Sequence, residues 1–209
     1  MMIELKFLSV GEYQTNCYLL IETESCEGVL VDPGDEAQEI LDWIGNISIT
    51  NILLTHGHPD HVGALQTVRQ SLGAKVGIHP ADAEAFSIQA DFELSQGDIF
   101  RLGEAHIEVV YVPGHTPGSV ALKLIEADGF QHALSGDAIF PGGPGHTKTP
   151  EALATALESL TRTVFTWSDS VRLHPGHGES TTVGAERASF DAFRDNPLPP
   201  DLCGDVTWG

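Results

Sequence analysis

Three histidines and an aspartate fall within six consecutive positions of this sequence. They lie in the segment LLTHGHPDHVGA, residues 53–64, and are His56, His58, Asp60 and His61. A buried-type strand, NILLT, precedes them and a helical pattern, VGALQTVRQ, follows, so we expect a loop at a strand exit. The spacing by two lets the first two histidines converge on one ion. Pro59 then redirects the chain, so that the aspartate and the third histidine face a second position. Imidazole and carboxylate ligands suit zinc, iron or manganese.

Three later loops repeat the pattern of a strand followed by a polar turn. VVYVPGHTPGS contains one candidate histidine, ALSGDAIF one aspartate, and VRLHPGHGEST two histidines; these residues are His115, Asp137, His174 and His177. Together with the first segment they can complete a metal site. Glycines beside them permit a tight backbone at each turn. The spacing alone leaves His174 and His177 as competitors for one position.

The chain around these loops has an α/β rhythm. Short apolar runs typical of strands, such as NCYLLIE and GVLVD, alternate with helical patterns such as AQEILDWIG and TPEALATALESLT. We expect two packed sheets with helices on the outer faces and the polar motifs at strand ends. This pattern predicts one domain over residues 1–196, followed by an irregular tail over residues 197–209.

Composition and charge exclude several classes of protein. The 209 residues, 41% of them hydrophobic, suffice for one sizeable core. Thirty acidic residues against ten basic ones give a formal charge of −20, which would repel a nucleic acid. The opening MMIELKFLSV has no signal-peptide pattern, and no stretch reaches the roughly 18 apolar residues of a membrane span. We therefore expect a cytoplasmic protein with no membrane partner. The odd number of widely spaced cysteines predicts reduced thiols.

The ordered motifs, from VDPG through HGHPDH to PGHG, resemble those of the metallo-β-lactamase superfamily, and within it the small glyoxalase II-like hydrolases. The resemblance covers nearly the whole chain and implies an α/β fold, the αββα four-layer sandwich. It also implies a dinuclear metal site and places the last ligand at His177 rather than His174. The ligands implied are His56, His58 and His115 for the first ion, Asp60, His61 and His177 for the second, and Asp137 as the bridge.

Asp32, in VLVDPG, matches a position at which the family has an aspartate that supports the metal ligands. Histidines bound to a metal commonly need such a partner for their second ring nitrogen. A simple turn aspartate before Pro33 explains the same residue equally well. The sequence leaves both interpretations open.

This ligand set implies hydrolysis. Two divalent ions that share a water would lower its pKa towards neutrality and supply a metal-bridging hydroxide as the nucleophile. Asp60 would be the catalytic residue, taking the proton while it remains a ligand, as the hydroxide attacks an acyl carbonyl. We expect a hydrolase of small acyl thioesters or esters, with zinc as the first choice of metal and iron or manganese as alternatives. A homo-oligomer stays open.

Two departures from glyoxalase II proper bear on the substrate. That family appends a helical domain that binds glutathione, whereas only residues 178–209 follow the last ligand here. The loop after Asp137 also has Pro144 and His146 where glutathione enzymes usually show a cysteine and a basic residue. We therefore expect little preference for glutathione. His146 and Lys148 in this loop are candidate contacts for a substrate carboxylate.

Rival functions share the motif set. A persulfide dioxygenase-like enzyme would use one iron on His56, His115 and Asp137, whereas a lactonase would keep both metals. A β-lactamase would normally be exported and carry a cysteine where this chain has Asp137. An electron-transfer module would replace a histidine with a carboxylate, and a nuclease would need a basic surface. A non-catalytic binding protein is expected to have lost a ligand, yet all seven positions are filled.

Overall fold

The structure is a computed structural model that describes residues 3–127 and 129–208. Its strands are β1 (Ile3–Val10), β2 (Thr15–Glu22), β3 (Glu27–Val31), β4 (Ser48–Leu53), β5 (Lys75–Ile78), β6 (Phe92–Glu93), β7 (Ile99–Leu102), β8 (Ala105–Tyr111), β9 (Val120–Glu126), β10 (Gly129–Gly136), β11 (Ile139–Phe140), β12 (Gly143–Pro144), β13 (Arg172–Pro175) and β14 (Thr181–Thr182). Its helices are α1 (Ala37–Ile44), α2 (Pro59–Val62), α3 (Leu65–Leu72), α4 (Pro80–Ala85), α5 (Pro150–Arg162) and α6 (Val183–Asp195), with a 3₁₀ turn at Val164–Thr166.

The strands form two large sheets and a short ribbon. The first sheet has the order β1-β2-β3-β4-β5-β6; its first three strands pair antiparallel and the pairs from β3 to β6 are parallel. The second has the order β14-β13-β10-β9-β8-β7, in which β10 and β13 pair in parallel and the other pairs are antiparallel. β11 and β12 form the ribbon, directly after the end of β10.

Strand β2 shows why the layers form, because it is buried along its whole length. Alternate side chains point to opposite faces of a strand. Leu19 and Ile21 accordingly pack in one apolar cluster with residues of α1 and α3, whereas Tyr18 and Leu20 face the second sheet. A third cluster joins the second sheet to α5 and α6. The order helix, sheet, sheet, helix confirms the expected αββα sandwich.

Local sequence explains where the helices begin. The Thr149 side chain accepts a hydrogen bond from the Ala152 N–H at 3.2 Å, and Pro150 occupies the first turn of α5. The loop that we expect between NILLT and VGALQTVRQ is shorter than the sequence suggests, because Pro59 suits a first helical position and already begins α2. Helix α4 is an addition to the predicted elements. No helix in the described residues combines the length and the apolar character needed to cross a membrane.

The tail packs against α6 and the 3₁₀ turn, in the layer that covers the second sheet. Within its described part, residues 197–208, the chain forms no helix or strand beyond an isolated bridge between Gly204 and Thr147. Val206 and Trp208 are nevertheless buried in the cluster beneath α5 and α6. The Trp208 Nε1–H donates to Glu186 Oε2 at 3.0 Å. An irregular backbone therefore still completes this core. The three cysteines are free thiols.

We predict that Phe190→Ala lowers the free energy of unfolding by about 3–5 kcal/mol, the usual cost of emptying a buried aromatic site. Phe190 is fully buried, and its ring stacks on Phe165 with centroids 3.8 Å apart. Urea denaturation at constant m-value measures the change. Phe7→Ala is the control, because Phe7 is 60% exposed and should change the stability by no more than about 0.5 kcal/mol. Equal losses in the two variants would contradict the assignment of the core.

Candidate metal centre

The candidate ligands lie in loops at one edge of the two sheets. His56 and His58 follow β4, and Asp60 and His61 lie in α2. The second sheet contributes the loop after β8, the turn directly after β10 and the turn after β13. These carry His115, Asp137 and His177. The structure thus brings together all seven predicted positions, drawn from both sheets.

The first group consists of three imidazoles: His56, His58 and His115. The His58 Nδ1 atom lies 3.1 Å from His56 Nε2 and 2.8 Å from His115 Nε2. Burial lowers the pKa of His56 well below its ordinary value and that of His58 to about 4. It also lowers the pKa of His115. Neutral imidazoles that face one another present lone pairs to a common point, which is the arrangement a cation requires.

The second group consists of Asp60, His61 and His177. The His177 Nε2 atom lies 3.2 Å from both His61 Nε2 and Asp60 Oδ2. Burial alone would lower the pKa of each histidine. Hydrogen bonding to Asp137 and to a second carboxylate outweighs burial and raises the pKa of both His61 and His177 to about 10. Positive charge is therefore favoured here, and a metal ion would displace these protons.

Asp137 lies between the two groups. Its Oδ2 atom is 3.6 Å from His115 Nε2 and 3.5 Å from His177 Nε2, while Oδ1 is 3.4 Å from His61 Nε2. Oδ1 is buried and has no hydrogen-bond partner of good geometry among the described residues. A buried carboxylate oxygen without a donor is costly. A metal cation would satisfy it, so the residues present are suited to binding metal ions.

Asp32 combines the two roles that the sequence left open. Its backbone has the left-handed value of φ, 51°, which aspartate tolerates in turns. Its buried carboxylate lies 2.9 Å from His61 Nδ1, accepts the Thr55 N–H at 2.8 Å and also binds the Thr55 hydroxyl. The carboxylate therefore fixes the orientation of the His61 ring, with Nε2 directed into the second group.

Two further histidines are held by backbone carbonyls that the sequence analysis did not identify. His115 Nδ1 donates to the His146 carbonyl at 2.9 Å, and His177 Nδ1 donates to the Tyr13 carbonyl at 2.9 Å. Every residue has a backbone carbonyl, so residue type does not indicate which carbonyl accepts a hydrogen bond. Only the fold shows it. Thr55 was also missed, although it directly precedes His56 in the motif LLTH.

The remaining histidines lie outside these groups. His174 Nε2 is 2.9 Å from His132 Nδ1, and the Ser180 hydroxyl lies 2.8 Å from His174 Nδ1. His79 caps α4 and stacks on Tyr111 with centroids 4.5 Å apart. The structure therefore places His177, and not His174, beside Asp60.

A cavity of about 550 Å³ opens beside the first group, at His58 and His115. Its walls are largely apolar, with Phe86 and Tyr111 among them, and within the described ranges Lys148 is the one lysine or arginine that lines it. His146 is not among the lining residues. Its half-exposed side chain instead lies 3.0 Å from Asp205 of the tail. Of the two predicted substrate contacts, the structure thus places only Lys148 at the cavity.

The model of the family described as the metallo-beta-lactamase superfamily matches residues 10–176. The chain belongs to this superfamily. Its members are mostly hydrolytic enzymes, and the histidine and aspartate groups described above are suited to binding metal ions. A small-molecule substrate follows from that family character.

Individual relatives of this superfamily member extend the comparison. The hydroxyacylglutathione hydrolase GloC of Haemophilus influenzae is 30% identical over 208 residues, which cover 90% of this chain and 96% of that protein. The crystal structure of ETHE1 from Myxococcus xanthus has a TM-score of 0.74 at 27% identity, covering 90% of this chain and 82% of that one. The structure of TTHA1623 in a di-iron-bound form has a TM-score of 0.68 at 32% identity, covering 87% and 96%.

We predict that Asp137→Ala lowers metal content, whereas His146→Ala leaves it unchanged. The first substitution removes the carboxylate that lies between the two groups. The second keeps the backbone carbonyl that accepts from His115 and removes only an exposed ring. Elemental analysis after zinc loading and desalting compares the two variants with wild-type protein. Loss of metal from His146→Ala would show that its side chain, and not only its carbonyl, supports the site.

Proposed function

We propose that this chain is a dinuclear metal-dependent hydrolase of small acyl thioesters or esters. The observation that carries the proposal is the position of Asp137 between a group of three neutral imidazoles and a group that contains a further carboxylate. The proposed ligands are His56, His58 and His115 for one ion, Asp60, His61 and His177 for the other, and Asp137 for both. Zinc is the first choice of metal, and the di-iron form of TTHA1623 supports iron as the alternative.

Two bound divalent ions would supply an activated water and polarise the acyl carbonyl. The chain's own residues then orient the reacting groups and transfer protons. A hydrogen bond with His177 lowers the pKa of Asp60, so its carboxylate is ionised near neutral pH, which both metal ligation and proton acceptance require. The Thr15 hydroxyl lies 3.4 Å from Oδ2 of the same carboxylate and donates a long hydrogen bond to it. Asp60 is the proposed catalytic residue for this reason.

The cavity supports an acyl substrate of modest size. Its apolar walls suit a short acyl chain or the carbon skeleton of a thiol, and Lys148 offers one positive charge to a substrate carboxylate. The name of the relative GloC, a hydroxyacylglutathione hydrolase, supports a thioester as the bond that is cleaved. A cytoplasmic location and a homo-oligomeric state stay predictions.

A mononuclear iron persulfide dioxygenase is the second candidate. The similarity to ETHE1 favours it, and one iron could bind to His56, His115 and Asp137. Such a site would leave Asp60 and His177 without a ligand role. The ligand atoms of these two residues and His61 lie within 4.8 Å of one another, as a second metal ion would require. The second group therefore supports the dinuclear hydrolase over the mononuclear dioxygenase.

We predict that the protein binds two divalent ions per chain. Seven ligand positions around two adjacent points can satisfy two ions about 3.5–4 Å apart, as in hydrolytic dinuclear sites. Elemental analysis of protein loaded separately with zinc, iron and manganese measures the stoichiometry. One equivalent with every metal would contradict the dinuclear assignment and favour the dioxygenase.

We also predict hydrolysis of acyl thioesters with less than about 100-fold preference for glutathione over a short uncharged thiol, a difference of roughly 2.7 kcal/mol in transition-state binding. A cavity with one lysine offers few partners for a charged tripeptide. The measurement is kcat/KM for one acyl group on each thiol. A larger preference would reveal a glutathione site, and an inactive, fully loaded protein would contradict hydrolysis.

Lys148→Met tests the role of the cavity in the same assay. It should reduce kcat/KM for a carboxylate-bearing acyl group more than for a neutral one, because only the former can pair with the ammonium group. Lys75→Met is the matched control: Lys75 is exposed and begins β5, outside the lining of the cavity.

A further inference from the structure

Helix α4 contributes a buried carboxylate that belongs to neither ligand group. Asp82 is fully buried. Its Oδ2 atom accepts the Gly57 N–H at 2.9 Å and the Thr116 hydroxyl at 2.7 Å, and its Oδ1 atom accepts the Gly118 N–H at 2.6 Å. All three donors lie on other segments of the chain. Asp82 thus connects α4 to two separate loops.

These two loops carry all three imidazoles of the first group. Gly57 lies between His56 and His58, and Thr116 directly follows His115. A single carboxylate therefore holds the backbone on both sides of the position where three ring nitrogens converge. Hydrogen bonds from N–H groups to a carboxylate are stronger than those to a neutral acceptor, so this connection resists separation of the loops.

Steric contact reinforces the connection. A Cβ atom at Gly118 would lie 2.7 Å from the Asp82 backbone nitrogen, and one at Gly57 would lie 2.4 Å from the ring of Phe86, which directly follows α4. The Phe86 ring also packs edge-on against His58 with centroids 5.2 Å apart. Both loops consequently press against the same short helix, with the carboxylate as the polar element of the contact.

We propose that Asp82 is a positioning residue that sets the distance between the two loops and thereby preorganises His56, His58 and His115 for a metal ion. It acts through backbone N–H groups and one hydroxyl, without itself being a ligand. Ligands held in place before binding give a higher metal affinity, because their ordering cost is met during folding. This inference rests on the metal-binding part of the proposed function.

Asp82→Asn tests the proposal. The amide keeps the size of the side chain but turns one acceptor into an NH₂ group that faces a donor. We expect affinity for one of the two zinc ions to fall by about 10–100-fold, as for other groups that orient metal ligands, while the other ion binds as in wild-type protein. Competition with a chromophoric chelator measures both affinities. The absorption spectrum of the cobalt-loaded protein reports the geometry of the imidazole group independently of activity.

Glu186→Gln is the matched control. Glu186 is also a buried carboxylate with three donors: the Gly142 N–H, the Thr181 hydroxyl and the Trp208 ring N–H. It lies beneath the tail and contacts neither metal-binding group. The control should lower thermal stability while it leaves both zinc affinities and the cobalt spectrum unchanged. Equal loss of zinc affinity in the two variants would mean that general destabilisation is the cause and would overturn the proposal.

A second pair keeps the test decisive if Asp82→Asn does not fold. Thr116→Val removes the hydroxyl at nearly constant volume, whereas Thr116→Ser retains it. We expect Thr116→Val to bind the same zinc ion more weakly, and Thr116→Ser to bind it with the affinity of wild-type protein. Undiminished affinity in Thr116→Val and in any folded Asp82→Asn would overturn this inference alone. Wild-type protein that binds no divalent ion would overturn the proposed function and the inference with it.

Discussion

Two backbone hydrogen bonds connect the sheets at the edge where the ligands meet. The Val120 N–H donates to the Thr55 carbonyl at 2.9 Å, and the Asn16 N–H donates to the Gly176 carbonyl at 2.7 Å. Thr55 and Gly176 each directly precede a candidate ligand. Because the ligands come from both sheets, any sliding of one sheet over the other would separate the two halves of each group. The fixed register between the sheets is thus the condition for a site of this kind.

The same close approach explains glycines that a turn alone would not require. A Cβ atom at Gly176 would lie 2.1 Å from Asp137 Oδ1 and 2.5 Å from His61 Cε1, although its φ is not positive. At Gly136 both the turn and the close approach require glycine, because its φ is 48° and its Cβ would lie 2.5 Å from Thr55 Oγ1. From the sequence, tight turns are the one reason to expect these glycines. The structure shows that crowding also demands them, by Asp137 and His61 at Gly176 and by Thr55 at Gly136.

Local patterns in the sequence predicted the structural features that depend on neighbouring residues. They missed the contacts that depend on residues far apart in the chain. Continuous apolar runs such as β2 predicted the buried strands, and strand exits predicted the ligand loops. Helix α4 has six residues and no apolar stripe, so periodicity could not reveal it. Asp82 and its three donors are 25 to 36 positions apart. The direction of the His146 side chain likewise depends on Asp205 in the tail, which no motif near the loop discloses.

The two cavities beside the site differ in volume and in the charge of their lining residues, and this difference bears on the proposed reaction. Beside the first group lies the larger cavity with Lys148, whereas a cavity of about 250 Å³ beside Asp60 is lined by Glu12 and Asp35. Glu12 and Asp35 are exposed, so water and salt screen their charges in part, yet both disfavour an anion on that side. An anionic acyl substrate would therefore enter from the side of Lys148, with its carbonyl between the groups. The acidic side would then remain open to water, so that a proton accepted by Asp60 can leave without crossing the bound substrate.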